Sequence, residues 1–127
     1  MSKVTVSTNK APRAIGPYSQ AVKAKHFLFV SGQLPMDPNS GSLVEGSIQD
    51  KTSRTIENIK AILEEAGTSL ESVVKTTIYL TDISQFSAVN EIYSMYFSNL
   101  FPARSTIQIA GLPMGSPIEI EVIALIE

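Results

Sequence analysis

Ile48, Thr52, Ile56, Ile59, Leu63 and Ala66, mostly apolar, recur at steps of three and four, the spacing that lines one face of a helix. Ser47 stands before this run as an N-cap, Asp50 follows three residues later near the positive helix end, and Gly67 supplies the stop. A second helical stripe runs through Phe86, Val89, Tyr93, Tyr96 and Phe97, with Asp82 or Ser84 as its cap and Pro102 ending the region. The rest of the ordered pattern is β-like. Val4-Thr5-Val6 is a short β-prone piece, and Asn9 to Pro17 is a loop. Residues 20–23 and 27–31 flank Ala24-Lys25-His26 as the arms of a hairpin, and the second arm, apolar on both faces, reads as a central strand. Val73 to Thr81 alternates and is β-branched, Ser105 to Ala110 alternates again, and Ile118 to Ile126 is a last strand after the loop 111–117. Gly32 to Gly46 is a long loop with Pro35, Pro38 and Gly41; loops beyond about 12–15 residues are uncommon and are often functional or buried at an interface.

The order β-β-β-α-β-α-β-β predicts a single α/β (α+β) domain over residues 1–127, with a six-stranded mixed sheet and two helices packed on one face. Two helices cover only one face of such a sheet, so the other must meet something, most simply copies of the same chain. Composition points the same way. Charged residues make up 17% of the chain against a usual share of about 25%. A homo-oligomer is therefore expected.

Charge is uneven along the chain. Residues 1–36 hold five Lys or Arg and no acid (+5); the remainder holds five Lys or Arg and twelve acids (−7), for a net charge of −2. The basic third could be a weak nucleic-acid footprint, but the acidic pI of 5.4 argues against one. There is no apolar run long enough to span a bilayer and no signal-peptide pattern, so a cytoplasmic protein is expected. No cysteine is present, which removes disulfides, thiolate nucleophiles and Cys-based metal sites. The single histidine, His26, lies beside the hairpin turn and reads as a surface or structural residue.

The chemistry concentrates at a few positions. In Phe101-Pro102-Ala103-Arg104-Ser105 the proline fixes the path into the next strand, and an arginine held there can present its planar fork to a carboxylate. Glu119 and Glu121 share one face of the last strand, as a solvated outer face or with one carboxylate in a pocket. A hairpin between strands 105–110 and 118–126 would put Glu119 opposite Ile109, roughly 17 Å from Arg104 and too far to share a small ligand. Either these strands are not partners, or the two residues meet across a subunit boundary. Tyr18 follows Ile15-Gly16-Pro17, a rigid turn that aims its ring into a site or anchors it in the core. Asn90 shares a helix face with Phe86, Tyr93 and Phe97, as an orienting amide or a cap on a loop. Ser31-Gly32 closes a strand, where glycine permits close approach of a ligand or simply makes a turn. There is no phosphate loop, metal-ligand spacing or dinucleotide fingerprint, so no cofactor or metal is expected. The remaining inventory suits hydrolysis of an already electrophilic small acid.

Taken together, Ile15-Gly16-Pro17-Tyr18-Ser19-Gln20-Ala21, Ser31-Gly32-Gln33-Leu34-Pro35, Val89-Asn90-Glu91-Ile92-Tyr93, Pro102-Ala103-Arg104-Ser105 and Ile118-Glu119-Ile120-Glu121 resemble the motifs of the RidA (YjgF-like) family across nearly the whole chain. The resemblance implies a chorismate-mutase-like fold and a homotrimer with clefts between subunits. It implies hydrolytic deamination of reactive enamine/imine intermediates, such as 2-aminoacrylate/2-iminopropanoate and 2-aminocrotonate/2-iminobutanoate, to 2-oxo acids and ammonia. It also implies a functional link, without a stable complex, to the pyridoxal-phosphate-dependent dehydratases that release these compounds. Carried over by position, Arg104 would clamp the substrate carboxylate and Glu119 would activate the attacking water. Tyr18, Ser31, Gly32 and Asn90 would line the cleft. Many relatives carry a cysteine two residues after the arginine, where this chain has Thr106; imine hydrolysis needs no thiol, but thiol chemistry at that site is lost.

Two other classes compete with this reading. The first is an RNA-binding or RNA-cleaving inhibitor of translation, supported by the basic N-terminal third and opposed by the acidic pI and the lack of a basic–aromatic platform. The second is a non-catalytic sensor of a 2-oxo acid, using the same arginine cleft.

Overall fold

Ser47 caps the first helix as its position predicts. Its hydroxyl accepts from the Asp50 amide at 3.1 Å, and the Asp50 carboxylate accepts from the Ser47 amide at 3.2 Å, a reciprocal capping box. The computed structural model describes residues 2–127. Helix α1 spans Ile48–Glu65 and ends at Gly67, whose φ of +88° lets the chain turn away at no Cβ cost. Helix α2 spans Phe86–Tyr96. Asp82 caps a single tight turn, Ile83–Gln85, that leads into α2, rather than α2 itself.

Six strands are present: β1 (Val4–Val6), β2 (Ala21–Ala24), β3 (Phe27–Gln33), β4 (Val73–Leu80), β5 (Ala103–Gln108) and β6 (Ile118–Leu125). They form one mixed sheet in the order β1-β2-β3-β6-β4-β5. Only β4 and β5 run parallel, joined by the α2 crossover; the other neighbours are antiparallel. The last strand thus inserts between β3 and β4. Strands β5 and β6 are not a hairpin: β4 lies between them.

Alternation along the strands separates two faces. Leu28, Val30, Ile78, Leu80, Ile118, Ile120, Val122 and Ala124 are buried with Ile56, Ile59, Ile62 and Leu63 of α1 and Val89 and Tyr93 of α2. Truncating one of the buried leucines or isoleucines to alanine is expected to cost about 2–5 kcal/mol. The opposite face carries Phe27, Phe29 and Leu125, each more than 40% exposed. An uncovered apolar face of this kind fits the oligomer expected from composition.

Two tethers fix the loops around the sheet end. The Gln20 side chain, buried in the core, donates to the carbonyls of Thr8 (3.1 Å) and Pro12 (2.7 Å) and accepts from the Thr8 amide (2.7 Å). The Asn58 amide, fully buried on α1, donates to the carbonyls of Leu34 (3.1 Å) and Met36 (2.9 Å). The long segment after β3 is therefore pinned to the helix layer rather than free.

Candidate active site

Two clefts stand on opposite faces of the sheet. The first is built on β5. The parallel register pairs Arg104 with Thr76, a residue buried on the helix side, so the arginine also faces the helices. Its Nη1 donates to Asn90 Oδ1 of α2 at 2.6 Å, and its guanidinium lies over the rings of Tyr93 (4.8 Å) and Phe86 (5.2 Å). Tyr93 is held in turn by a 2.8 Å hydrogen bond between its hydroxyl and that of Thr76. Burial pushes the Tyr93 hydroxyl pKa up, against the smaller downward pulls of Thr76 and Arg104. Arg104 thus sits inside a strand, oriented by α2, rather than at the corner that its proline suggested. Tyr93, Phe101, Pro102 and Arg104 line a cleft of about 650 Å³ with Asn90 and Glu91. Two steps beyond Arg104, the Thr106 hydroxyl is buried with no hydrogen-bond partner.

The second cleft is built on β6 and β3. Glu119 and Glu121 alternate with the buried Ile118, Ile120 and Val122 and so face away from the helices. Val30 pairs with Val122, but Gln33 pairs with Ile120, so one extra residue is accommodated on β3 at Ser31-Gly32. Such a bulge re-aims the chain locally. Here it brings Gly32 against Glu119: a Cβ on Gly32 would lie 2.6 Å from the carboxyl carbon. Only glycine leaves the carboxylate its place. Partial burial raises the Glu119 pKa above the ordinary carboxylate range, and the charge of Glu121 raises it further. Glu121 itself accepts a hydrogen bond from the Tyr79 hydroxyl at 3.1 Å.

Tyr18 is half exposed and lines the cleft at Glu119, which removes the core-anchor alternative. The Ser31 hydroxyl donates to the Ser19 carbonyl at 2.6 Å and so faces the cleft as an acceptor. The cleft measures about 630 Å³, and Ile15, Leu34, Met36, Pro113 and Met114 give it apolar walls. Met114 adopts a left-handed backbone with φ of +60° in the loop before β6.

Of the residues singled out in the sequence, the structure brings Tyr18, Ser31, Gly32 and Glu119 to one cleft and Asn90 and Arg104 to another. It does not bring Arg104 to Glu119 within a chain. Glu119 is in register with Tyr79, Arg104 with Thr76. That is three residues along and two strands across, about 14 Å between backbones, with the side chains on opposite faces. Arg13, Met36 and Met114 also line the Glu119 cleft and were missed, because a lone cation or methionine in a loop has no periodic signal. His26 is exposed in the β2–β3 turn, at the end of β3 remote from Gly32. No group of three or more His, Cys, Asp or Glu suited to a metal occurs among the described residues.

Residues 8–126 match the family described as Endoribonuclease L-PSP. The chain is 53% identical over 124 residues to a RutC family protein of Pyrococcus abyssi, covering 98% of each. It is 51% identical over 120 residues to a human protein named 2-iminobutanoate/2-iminopropanoate deaminase, covering 94% of this chain and 88% of that one. A Thermotoga maritima crystal structure superposes with a TM-score of 0.95 at 54% identity, covering 98% of both chains.

Proposed function

The chain belongs to the Endoribonuclease L-PSP family, which includes the RutC and RidA proteins, and from that premise we propose that it is a 2-imino acid deaminase. Its substrates in this reading are 2-iminopropanoate and 2-iminobutanoate, the imine forms of 2-aminoacrylate and 2-aminocrotonate. The human relative carries that activity in its name. The observation that carries the reading is a pair of complementary half-sites: a guanidinium preset by Asn90, Tyr93 and Phe86, and a carboxyl of raised pKa beside a glycine.

Each half is incomplete for this reaction. Both are rimmed by exposed apolar side chains, Phe101 at the first and Ile15, Tyr18 and Met114 at the second. A homotrimer in which Arg104 of one subunit adjoins Glu119 of the next removes the separation of the two residues and covers these rims. Arg104 then receives the carboxylate of the imino acid, a charge-assisted contact worth about 1.5–3 kcal/mol. Glu119, ionised, takes a proton from water as the oxygen attacks the C=N carbon. The protonated carboxyl returns that proton to nitrogen, and the carbinolamine collapses to the 2-oxo acid and ammonia. Tyr18 and the Ser31 hydroxyl line the wall against which the substrate side chain lies. General acid–base assistance of this kind typically contributes 10²–10⁴-fold. The reading places the protein in the cytoplasm with the dehydratases that release such imines, with no stable complex between them.

RNA cleavage is the second reading, because the family's description raises it. The one histidine lies in the β2–β3 turn, at the end of β3 away from Gly32, and the net charge is −2. The test is imine decay in a coupled assay in which a serine or threonine dehydratase generates the substrate. Acceleration by wild type but not by Arg104→Ala supports the deaminase. A tight 2-oxo acid complex without turnover points to a sensor, and salt-sensitive RNA binding with no effect on imines points to the RNA reading.

A further inference from the structure

Three arginines are present, and two are engaged. Arg54 donates twice to Asn58 Oδ1, at 2.8 and 3.1 Å, and Arg104 donates to Asn90. Arg13 has no hydrogen-bond or ion-pair partner among the described residues, yet the backbone leading into it is anchored. The neighbouring Pro12 carbonyl is tied to Gln20 at 2.7 Å, and Ala11 is buried in the core. Arg13 lines the Glu119 cleft and also an adjoining polar hollow of about 580 Å³ with Asn9, Asn39 and Ser40. Among the described residues that line the cleft it is the only cation and Glu119 the only anion.

We propose that Arg13 makes this cleft a site for dicarboxylic imino acids, reading the distal carboxylate while Arg104 of the adjoining subunit holds the proximal one. The inference rests on the deaminase reading and adds a substrate class to it. Ile15 and Met36 line the wall together with Arg13, which suits the methylene groups of a longer acid. A second carboxylate entering the cleft without Arg13 would meet only the carboxyl of Glu119 and be repelled. With Arg13 it gains a planar, permanently charged partner. The chemical step is unchanged: water adds to C=N, ammonia leaves, and a dicarboxylic 2-oxo acid is released.

Calorimetric binding of the product-like acids 2-oxoglutarate and 2-oxobutanoate tests this without turnover. Wild type should bind the dicarboxylate at least about tenfold more tightly, the scale of one charge-assisted contact. Arg13→Ala should bring the ratio of the two affinities close to one, and Arg13→Glu should invert it. Equal affinities in wild type, or a ratio that Arg13→Ala leaves intact, would overturn the proposal. Arg13 is solvent-exposed, so both variants should fold, and circular dichroism verifies it. The dehydratase-coupled assay runs in parallel. Loss of imine acceleration there counts against the deaminase reading, whereas the affinity ratio reports on Arg13 alone.

Discussion

Gly32 lies against the carboxyl of Glu119, so that a Cβ at position 32 would come within 2.6 Å of the Glu119 carboxyl carbon and 3.0 Å of its Cγ. The obstructing atoms end a flexible side chain, so Gly32→Ala should displace the carboxylate rather than unfold the protein. The expected result is a fall in kcat/KM of about 10²-fold or more, within the range of lost general-base assistance, with little change in Tm. Steady-state kinetics beside a thermal melt checks both halves of that statement. Unchanged kinetics would mean that the carboxylate position is immaterial.

Glu119 has a folded-state pKa raised first by burial and then by Glu121. A group with a raised carboxyl pKa binds its proton more tightly in the folded state. Its contribution to stability is therefore present below the unfolded carboxylate pKa and is lost as pH rises through the raised folded value. Glu119→Gln should match wild type in acid and melt higher than wild type at neutral pH. As the proposed base, Glu119 must be ionised to act, so the acid limb of kcat/KM should sit above the usual carboxylate range. Glu121→Gln removes one of the two causes and should move that limb to lower pH. A limb that stays fixed in Glu121→Gln would take Glu119 out of the role of base.

Tyr93 serves two purposes that substitution can separate. Its ring underlies Arg104, and its hydroxyl pairs with the buried Thr76. Tyr93→Phe keeps the ring and strands the Thr76 hydroxyl, at a cost of about 1–3 kcal/mol of stability. KM should change little. Tyr93→Leu also removes the surface on which the guanidinium rests, and KM should rise. A Tyr93→Phe variant with wild-type Tm would show that Thr76 finds another partner.

Much of this was legible from residue pattern alone. The capping box at Ser47, the stop at Gly67 and the alternation in β4 and β6 are local signals, and the eight elements follow in the expected order. Strand order is not local. Nothing in 118–126 says that it inserts between β3 and β4, or that β5 runs parallel to β4. Strand β5 begins at Ala103, not Ser105, because its pairing with Lys75 starts there, and this converts Arg104 from a corner residue to a strand residue facing α2. The bulge at Ser31-Gly32 carries β3 on to Gln33, two residues into the stretch whose glycines and prolines signal a loop. Arg13 gave no signal, since its role depends on a cleft that only the folded chain encloses.

Thr106 stands where many RidA relatives carry cysteine, and its hydroxyl is buried without a partner. Thr106→Val replaces an unsatisfied polar atom with a methyl group of similar size. It should raise stability by about 1 kcal/mol. Imine turnover should be retained, since water addition to C=N uses neither a thiol nor a hydroxyl at this position. A melt and the coupled assay decide it. Lost turnover in a stable variant would give the hydroxyl a chemical role.

The central claim is that one site takes Arg104 from one subunit and Glu119 from another. Arg104→Ala and Glu119→Gln, each inactive alone, should complement when co-expressed or refolded together. Random mixing in equal amounts leaves about a quarter of the intersubunit sites with both groups intact, so activity in the imine assay should return to about a quarter of wild type. Mixtures as inactive as the separate variants, with mixed oligomers shown to form, would contradict the account.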